Sequence, residues 1–396
     1  MLRLDQYRFL ISKLAVEPVT PATILALRKQ VGDELTRELI DIAAVQGKAA
    51  KKFGEGIWMA TARSIEQASD QVVANYKASL MGDRVVIDLC GGIGGDAMAF
   101  AKRGPVITID RDPRMTTMAA ENLRQIKGTS AVVVSADVTT YFRSQQFADP
   151  RIGIHIDPDR RPRDRRTTAP EAYEPSFGFV LSVIASSPSS IVKLAPAAVL
   201  NEVDSVNTHR QWISLKGSVR EQTLLVGDCI DKAELRRGHR SAVRLMRDGT
   251  RQVFESTDCT GDREVVRTID SPLRYIVDFD PAVRASGLSV AFGTQNGLSC
   301  LGEPSGFFAS DEPPDNRLLM QCFEVTWGGP ADIKQIRKQL AQNSARLHSI
   351  KVRNTDHDPA ALMRSLNAKT SNSNDRLTLL IGRTRKGAYA VLAKQL

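Results

Sequence analysis

An α/β fold is the expectation for this chain: a mostly parallel sheet flanked by helices, preceded by a helical module and followed by a small α+β domain. Three observations carry it. Residues 85–96, VVIDLCGGIGGD, run three apolar residues and an acid into a glycine-dense turn, and an apolar-periodic run follows at 97–101. That is the pattern of a buried strand, a tight loop and a helix start. Beyond it, apolar runs and helical spacings alternate to about residue 226. The third observation is charge: residues 331–396 hold thirteen Lys and Arg against four Asp and no Glu, an excess of nine that equals the net charge of the whole chain. A basic module thus ends a body that is close to neutral.

The glycine loop states its own chemistry. Gly91, Gly92, Gly94 and Gly95 permit positive φ and leave no Cβ between the backbone and a ligand at the carboxyl end of the strand. The helix start then offers unpaired N–H groups. A dinucleotide would place its pyrophosphate there and be repelled by an acid just before the glycines. S-adenosylmethionine, which carries an ammonium and a sulfonium against one carboxylate, suits Asp88, two residues before Cys90. Gly92-x-Gly94-x-x-Ala97 also satisfies the weaker dinucleotide pattern, which keeps hydride transfer with a nicotinamide cofactor open as an alternative.

In chain order, residues 1–80 read as helices at 21–28, 32–45 and 64–80. Residues 56–70 lead into the first strand and can fold over the cofactor, with Gln67 a candidate contact. A second strand, 106–109, ends in Asp110, placed to accept from ribose hydroxyls. Residues 112–126 read as a helix. A third strand, 131–134, precedes Asp137, which can take the adenine amine. The fourth, 152–156, ends in Asp157-Pro158-Asp159-Arg160-Arg161, where the crevice opens to substrate. Four acids at successive strand ends favour methyl transfer over hydride transfer. Arginines 160, 161, 163, 165 and 166 follow at the mouth, and guanidinium forks grip phosphates bidentately. Residues 191–194, 212–216 and 222–226 would complete a seven-stranded sheet. Further on come a hairpin at 242–245 and 252–255, a strand at 275–279 and a surface loop over 302–316. A helix opens the basic module within 328–340, with Pro330 near its start.

Composition sets the outer limits. With 42% hydrophobic and 25% charged residues the chain can bury full cores in two or three domains. No stretch approaches the length of a membrane span and the first twenty residues lack a leader pattern, so a cytoplasmic protein is expected. Five cysteines without a C-x-x-C pair and five scattered histidines suggest neither disulfides nor a metal. Nucleic acid is the polyanion that a basic appendage of this kind would bind. Nothing in the sequence speaks to oligomeric state.

DLCGGIGGDAMAFAKRG, VITIDRDP, SADVTTY and HIDPDRRP resemble motifs I to IV of class I S-adenosylmethionine-dependent methyltransferases. The likeness is to the trimethylguanosine-synthase-like branch, whose loop reads D-x-x-C-G-x-G-G; here Cys90 stands one place nearer the acid. The segment ending EQASD, the DP-x-RR form of motif IV and the C-terminal block resemble bacterial class I methyltransferases with a THUMP-like domain. In that block a strand, helix, strand, strand pattern is read over 347–352, 358–366, 377–381 and 388–392.

The resemblance implies a helical module at 1–80, a Rossmann-like methyltransferase domain at 81–262, and a C-terminal region at 263–396 with the basic domain from about 325. Asp88, Cys90, Gly92 and Gly94 would line the methionine side of the cofactor, with Asp96 at the helix start. Asp110 would hold the ribose and Asp137 the adenine, while Asp157, Pro158 and Arg160 form the reaction centre. Arg161, Arg163, Arg165 and Arg166 would hold substrate. Enzymes that methylate an exocyclic amine carry [DN]-P-P-[FYW], and here Asp159 and Arg160 fill the last two places. A guanidinium plane can stack on a base in place of the aromatic. The implied activity is methylation of an RNA base, in tRNA or rRNA. The altered motif IV motivates one alternative, a non-catalytic RNA-binding protein on the same scaffold.

Overall fold

The computed structural model describes residues 4–141, 148–160, 167–200, 207–257, 266–367 and 376–396. Arg161, Arg163, Arg165 and Arg166 lie outside the described residues. The chain forms two compact units, Met1–Arg210 with Glu221–Gly238 and Met246–Thr250, and Gln211–Arg220 with His239–Leu245 and Arg251–Leu396.

The first unit opens with helices α1 (Leu4–Val16), α2 (Pro21–Val31), α3 (Asp33–Phe53), α4 (Ala62–Gln67) and α5 (Gln71–Leu80). Thr20 caps α2 by accepting from the amide of Thr23, and Pro21 follows at a position that needs no N–H donor. On α3 the buried Leu39, Ile42, Ala43, Gln46, Ala49 and Phe53 fall at three- and four-residue spacing, so one stripe of the helix is internal. The single helix expected over 64–80 is instead two. Their break is made by Asp70, whose carboxylate accepts from the amide of Val72 and so starts a second helix.

The sheet strands are β1 (Val85–Leu89), β2 (Val106–Asp110), β3 (Ala131–Ser135), β4 (Ile152–Ile156), β5 (Ser189–Leu194), β6 (Thr208–Leu215) and β7 (Ser218–Gly227). They run in the order β3-β2-β1-β4-β5-β7-β6 within a sheet of nine strands, two more than the seven expected. The first five are parallel, and β7 is antiparallel to β5. All five parallel strands therefore end on one edge of the sheet, where open α/β sheets bind ligands. Helices α6 (Gly95–Arg103), α7 (Pro113–Leu123), α8 (Val138–Tyr141), α9 (Phe177–Ser186) and α10 (Asp228–Lys232) complete the unit. Both sheet faces are covered, as parallel strands require. Val86 packs into a core with Phe53, Phe100 and Leu225, while Ile87 and Leu89 pack into another with Val180 and Val183.

The second unit holds the hairpin β8 (His239–Leu245) and β9 (Arg251–Thr257), and an eight-stranded sheet. Its strands are β10 (Thr268–Ile269), β11 (Tyr275–Phe279), β12 (Ser299–Leu301), β13 (Phe307–Ser310), β14 (Met320–Pro330), β15 (Arg346–Val352), β16 (Arg376–Thr384) and β17 (Gly387–Gln395). They order as β10-β12-β13-β11-β14-β17-β16-β15. Two expectations are corrected here. The stretch 302–316 is not all surface loop, because Phe307, Phe308 and Ala309 are fully buried in β13 between β11 and β12. Pro330 ends β14 and does not open a helix; the next helix, Ile333–Gln342, starts after Asp332 accepts from the amide of Gln335. Among the described residues no helix is long and apolar enough to cross a membrane.

Candidate active site

The turn after β1 bends through left-handed backbone at Cys90 (φ 62°), Gly92 (φ 55°) and Gly94 (φ 84°). Gly91 is needed for space: a Cβ there would lie 2.0 Å from Thr108 Oγ1 and 2.6 Å from Asp88 Oδ2. Against this turn opens a cavity of about 590 Å³, in the range that holds a nucleoside-sized ligand. Gln67, Cys90, Gly92, Asp96, Asp110, Asp137, Asp157, Pro158 and Arg160 all line it. Three strand ends thus deliver carboxylates to one wall.

Their settings differ. Asp110 accepts from the amides of Gly92 and Asp112, at 2.9 Å each, and burial pushes its carboxyl up from the ordinary aspartate value. Asp137 sits at the rim, held below its ordinary value by the hydroxyl and amide of Thr139. Burial, reinforced by the carboxylates of Asp110, Asp157 and Asp88, pushes the Cys90 thiol well up from its ordinary value.

Two residues singled out in the sequence do not line the cavity. Asp88 is fully buried one layer beneath it. It accepts from Thr108 Oγ1 at 2.9 Å and pairs with His155 Nδ1 at 2.7 Å, so it braces the strand ends and offers the cavity no oxygen. Gly94 caps α6 and lies against Ala119.

Beneath the cavity runs a polar network that sequence reading missed. Lys77 of α5, with no exposed side-chain surface, sits 2.8 Å from Asp96 and 3.0 Å from Glu221 of β7. Ser69, in the break between α4 and α5, donates to Asp96 at 2.7 Å and accepts from Lys77 (3.3 Å) and Lys193 (3.2 Å). Lys193 of β5 reaches Asp157 Oδ2 at 2.6 Å. The signals were present, because Lys77 falls on the buried face of α5 with Val73 and Ala74, and Lys193 stands inside the wholly buried run SSIVKL. A lysine in such a place demands a buried partner. The floor holds Asp88, Asp96, Asp157 and Glu221 against Lys77, Lys193 and His155.

The chain after β4 is pinned. The amide of Asp157 donates to Leu89 O at 3.1 Å, Asp159 and Glu174 exchange backbone hydrogen bonds at 2.7 and 3.1 Å, and Glu174 pairs with Arg111 at 2.6 Å. Among the described residues no aromatic side chain lines the cavity, and none forms a group of three or more His, Cys, Asp and Glu fit to hold a metal.

Two family matches cover separate parts of the chain: RNA cap guanine-N2 methyltransferase over residues 83–154, and THUMP domain-like over 320–395. Proteins described as uncharacterized S-adenosylmethionine-dependent methyltransferases in two strains of Mycobacterium tuberculosis are 27% identical over 92% of this chain and 97% of their own length. Trimethylguanosine synthase of Schizosaccharomyces pombe is 32% identical over 24% of this chain and 43% of its own. The crystal structure of a Porphyromonas gingivalis W83 protein described as a methyltransferase shares the fold, with TM-score 0.78 and 19% identity over 99% of this chain and 98% of that one. The strand order and these relatives agree: the chain is an S-adenosylmethionine-dependent methyltransferase that carries a THUMP-like domain at residues 320–395.

Proposed function

We propose that this protein transfers the methyl group of S-adenosylmethionine to a base in RNA, in tRNA or rRNA. One observation carries the reading of the site: Asp110, Asp137 and Asp157, from the ends of three parallel strands, line a single cavity large enough for the cofactor. Asp110 accepts from the ribose hydroxyls, Asp137 from the adenine amine, and the turn at Cys90 and Gly92 holds the methionine end, with Gln67 and Asp96 beside it. The acid excess of the floor suits a ligand with two cationic centres. RNA as substrate is supported by the excess of nine positive charges over residues 331–396, the THUMP-like match and the match to RNA cap guanine-N2 methyltransferases. The arginines at 161, 163, 165 and 166, which follow Arg160 in sequence, would grip phosphate.

When bound, the cofactor supplies an electrophilic methyl on a sulfonium. The protein's own work is alignment and exclusion of water. Asp157 accepts a hydrogen bond from the acceptor N–H, orients its lone pair toward the methyl, and takes the proton late. Pro158 packs the base edge and the Arg160 guanidinium stacks where related enzymes place an aromatic.

The test is methyl transfer from radiolabelled cofactor to total RNA of a strain lacking the gene. Wild-type protein is expected to label one RNA size class, with incorporation falling as salt rises. Asp157→Ala should be slower by about 10²-fold. Cofactor retention with no labelled RNA would instead point to the non-catalytic RNA-binding reading, which the absence of an aromatic at motif IV favours.

Asp110 gives a second expected result. Asp110→Ala removes two hydrogen bonds to a charged acceptor and should weaken cofactor binding by about 10²-fold in calorimetry. Because burial raises this carboxyl, its ionised form is lost as pH falls through a value above the ordinary aspartate pKa of about 4. Wild-type affinity should therefore drop on mild acidification, and Asp110→Asn should flatten that dependence.

A further inference from the structure

Asp157 is fixed at its backbone by Leu89, but a carboxylate that must meet an acceptor N–H within a fraction of an ångström needs its side chain fixed as well. A misplacement of about 1 Å can cost on the order of 10²-fold in rate. Lys193 meets that need. It stands on β5, the strand beside β4, with its side chain 5% exposed and its ammonium 2.6 Å from Asp157 Oδ2. That ammonium is tethered in turn, since it donates to Ser69 Oγ at 3.2 Å, Ser69 donates to Asp96 at 2.7 Å, and Asp96 pairs with the buried Lys77 at 2.8 Å. A lysine arm alone is flexible. Held through Ser69, it is not.

We infer that Lys193 is a positioning residue for methyl transfer, engaging one oxygen of Asp157 so that the other is presented to the acceptor nitrogen, and that the Ser69–Asp96–Lys77 chain holds Lys193 in place. This rests on the reading of Asp157 given above. It assigns the break between α4 and α5 a task in catalysis, because a helix continued through residue 69 would not place that hydroxyl between two ammonium groups.

A double-mutant cycle on the methyl-transfer rate tests it. Lys193→Met should lower kcat by at least about tenfold while leaving cofactor affinity, measured by calorimetry, within about twofold. In the Asp157→Asn background the same change should have no further effect, because the group through which Lys193 acts is already gone. Lys193→Arg, which keeps the charge, should recover part of the rate. An equal fractional loss from Lys193→Met in both backgrounds, or a tenfold loss of cofactor affinity, overturns the role of Lys193. An Asp157→Asn protein as fast as wild type overturns the underlying reading of Asp157 instead. If Lys193→Met does not fold, Ser69→Ala decides: a severalfold loss of kcat confined to the Asp157 background supports the relay, and an equal loss in both backgrounds removes it.

Discussion

Lys77→Met should destabilise the protein by about 3–5 kcal/mol, seen as a lower urea midpoint with little change in slope. The magnitude follows from what is left behind. Asp96 and Glu221 are almost wholly inaccessible and face the same ammonium at 2.8 and 3.0 Å. Removing it strands two carboxylates in the interior, which costs far more than the pair itself contributes. Burial works against both charges, yet the attraction between them wins: the Lys77 ammonium is held above its ordinary value and the Asp96 carboxyl below its own. The signs fix the pH window. Asp96, depressed in the folded state, contributes stability that is present above its unfolded pKa of about 4 and lost as pH falls below that. Lys77, raised, contributes stability that is present below its unfolded pKa of about 10 and lost as pH climbs past it. Wild-type stability should be flat between and fall at both ends, with the acid arm weaker in Asp96→Asn. A midpoint unmoved by Lys77→Met would mean that water reaches the pair.

Gly91→Ala should abolish cofactor binding at ordinary concentrations, weakening it by about 10³-fold, or about 4 kcal/mol. The added methyl would fall 2.0 Å from Thr108 Oγ1 and 2.6 Å from Asp88 Oδ2. Those atoms are bonded to each other at 2.9 Å and both residues are buried, so neither can yield without breaking the brace beneath the turn. Nor can the turn lift easily, because the Gly91 amide donates to Ile109 O and its carbonyl accepts from Gly94 N. Gly92→Ala is the informative contrast. No protein atom lies within 4 Å of its Cβ position and the fold itself resists only through the left-handed backbone, so it should cost about 1 kcal/mol in stability. Urea denaturation of the two variants side by side separates steric clash within the fold from backbone preference.

Much of this fold was legible because its signals are local. Residues 152–156 and 275–279 are strands at the expected bounds, and Asp110, Asp137 and Asp157 stand at strand ends on one cavity as their spacing suggested. What escaped reading depended on partners distant in sequence. The apolar spacing Ile65, Val72, Val73, Tyr76, Leu80 continues through the helix break, and only the cap at Asp70 betrays it. Phe307 and Phe308 lie among glycines, prolines and acids, so a central strand resembled a loop. Asp88 looked outward because it precedes the glycines. Its actual partner, His155, is 67 residues away, and no periodicity reveals such a pairing. The ion pairs of lysines 77 and 193, with Glu221 and Asp157, likewise join residues far apart in the chain.

The network beneath the cavity also decides where this chain can be cut. Ser69 and Lys77 belong to the helices ahead of β1, while Asp96, His155, Lys193 and Glu221 belong to the sheet and its first helix. Successive in sequence, the two are not separable in energy. A shortened chain beginning at residue 81 would bury Asp96 and Glu221 without their cation, and transplanting the cofactor-binding sheet to another protein would have to carry the segment from residue 61 along with it.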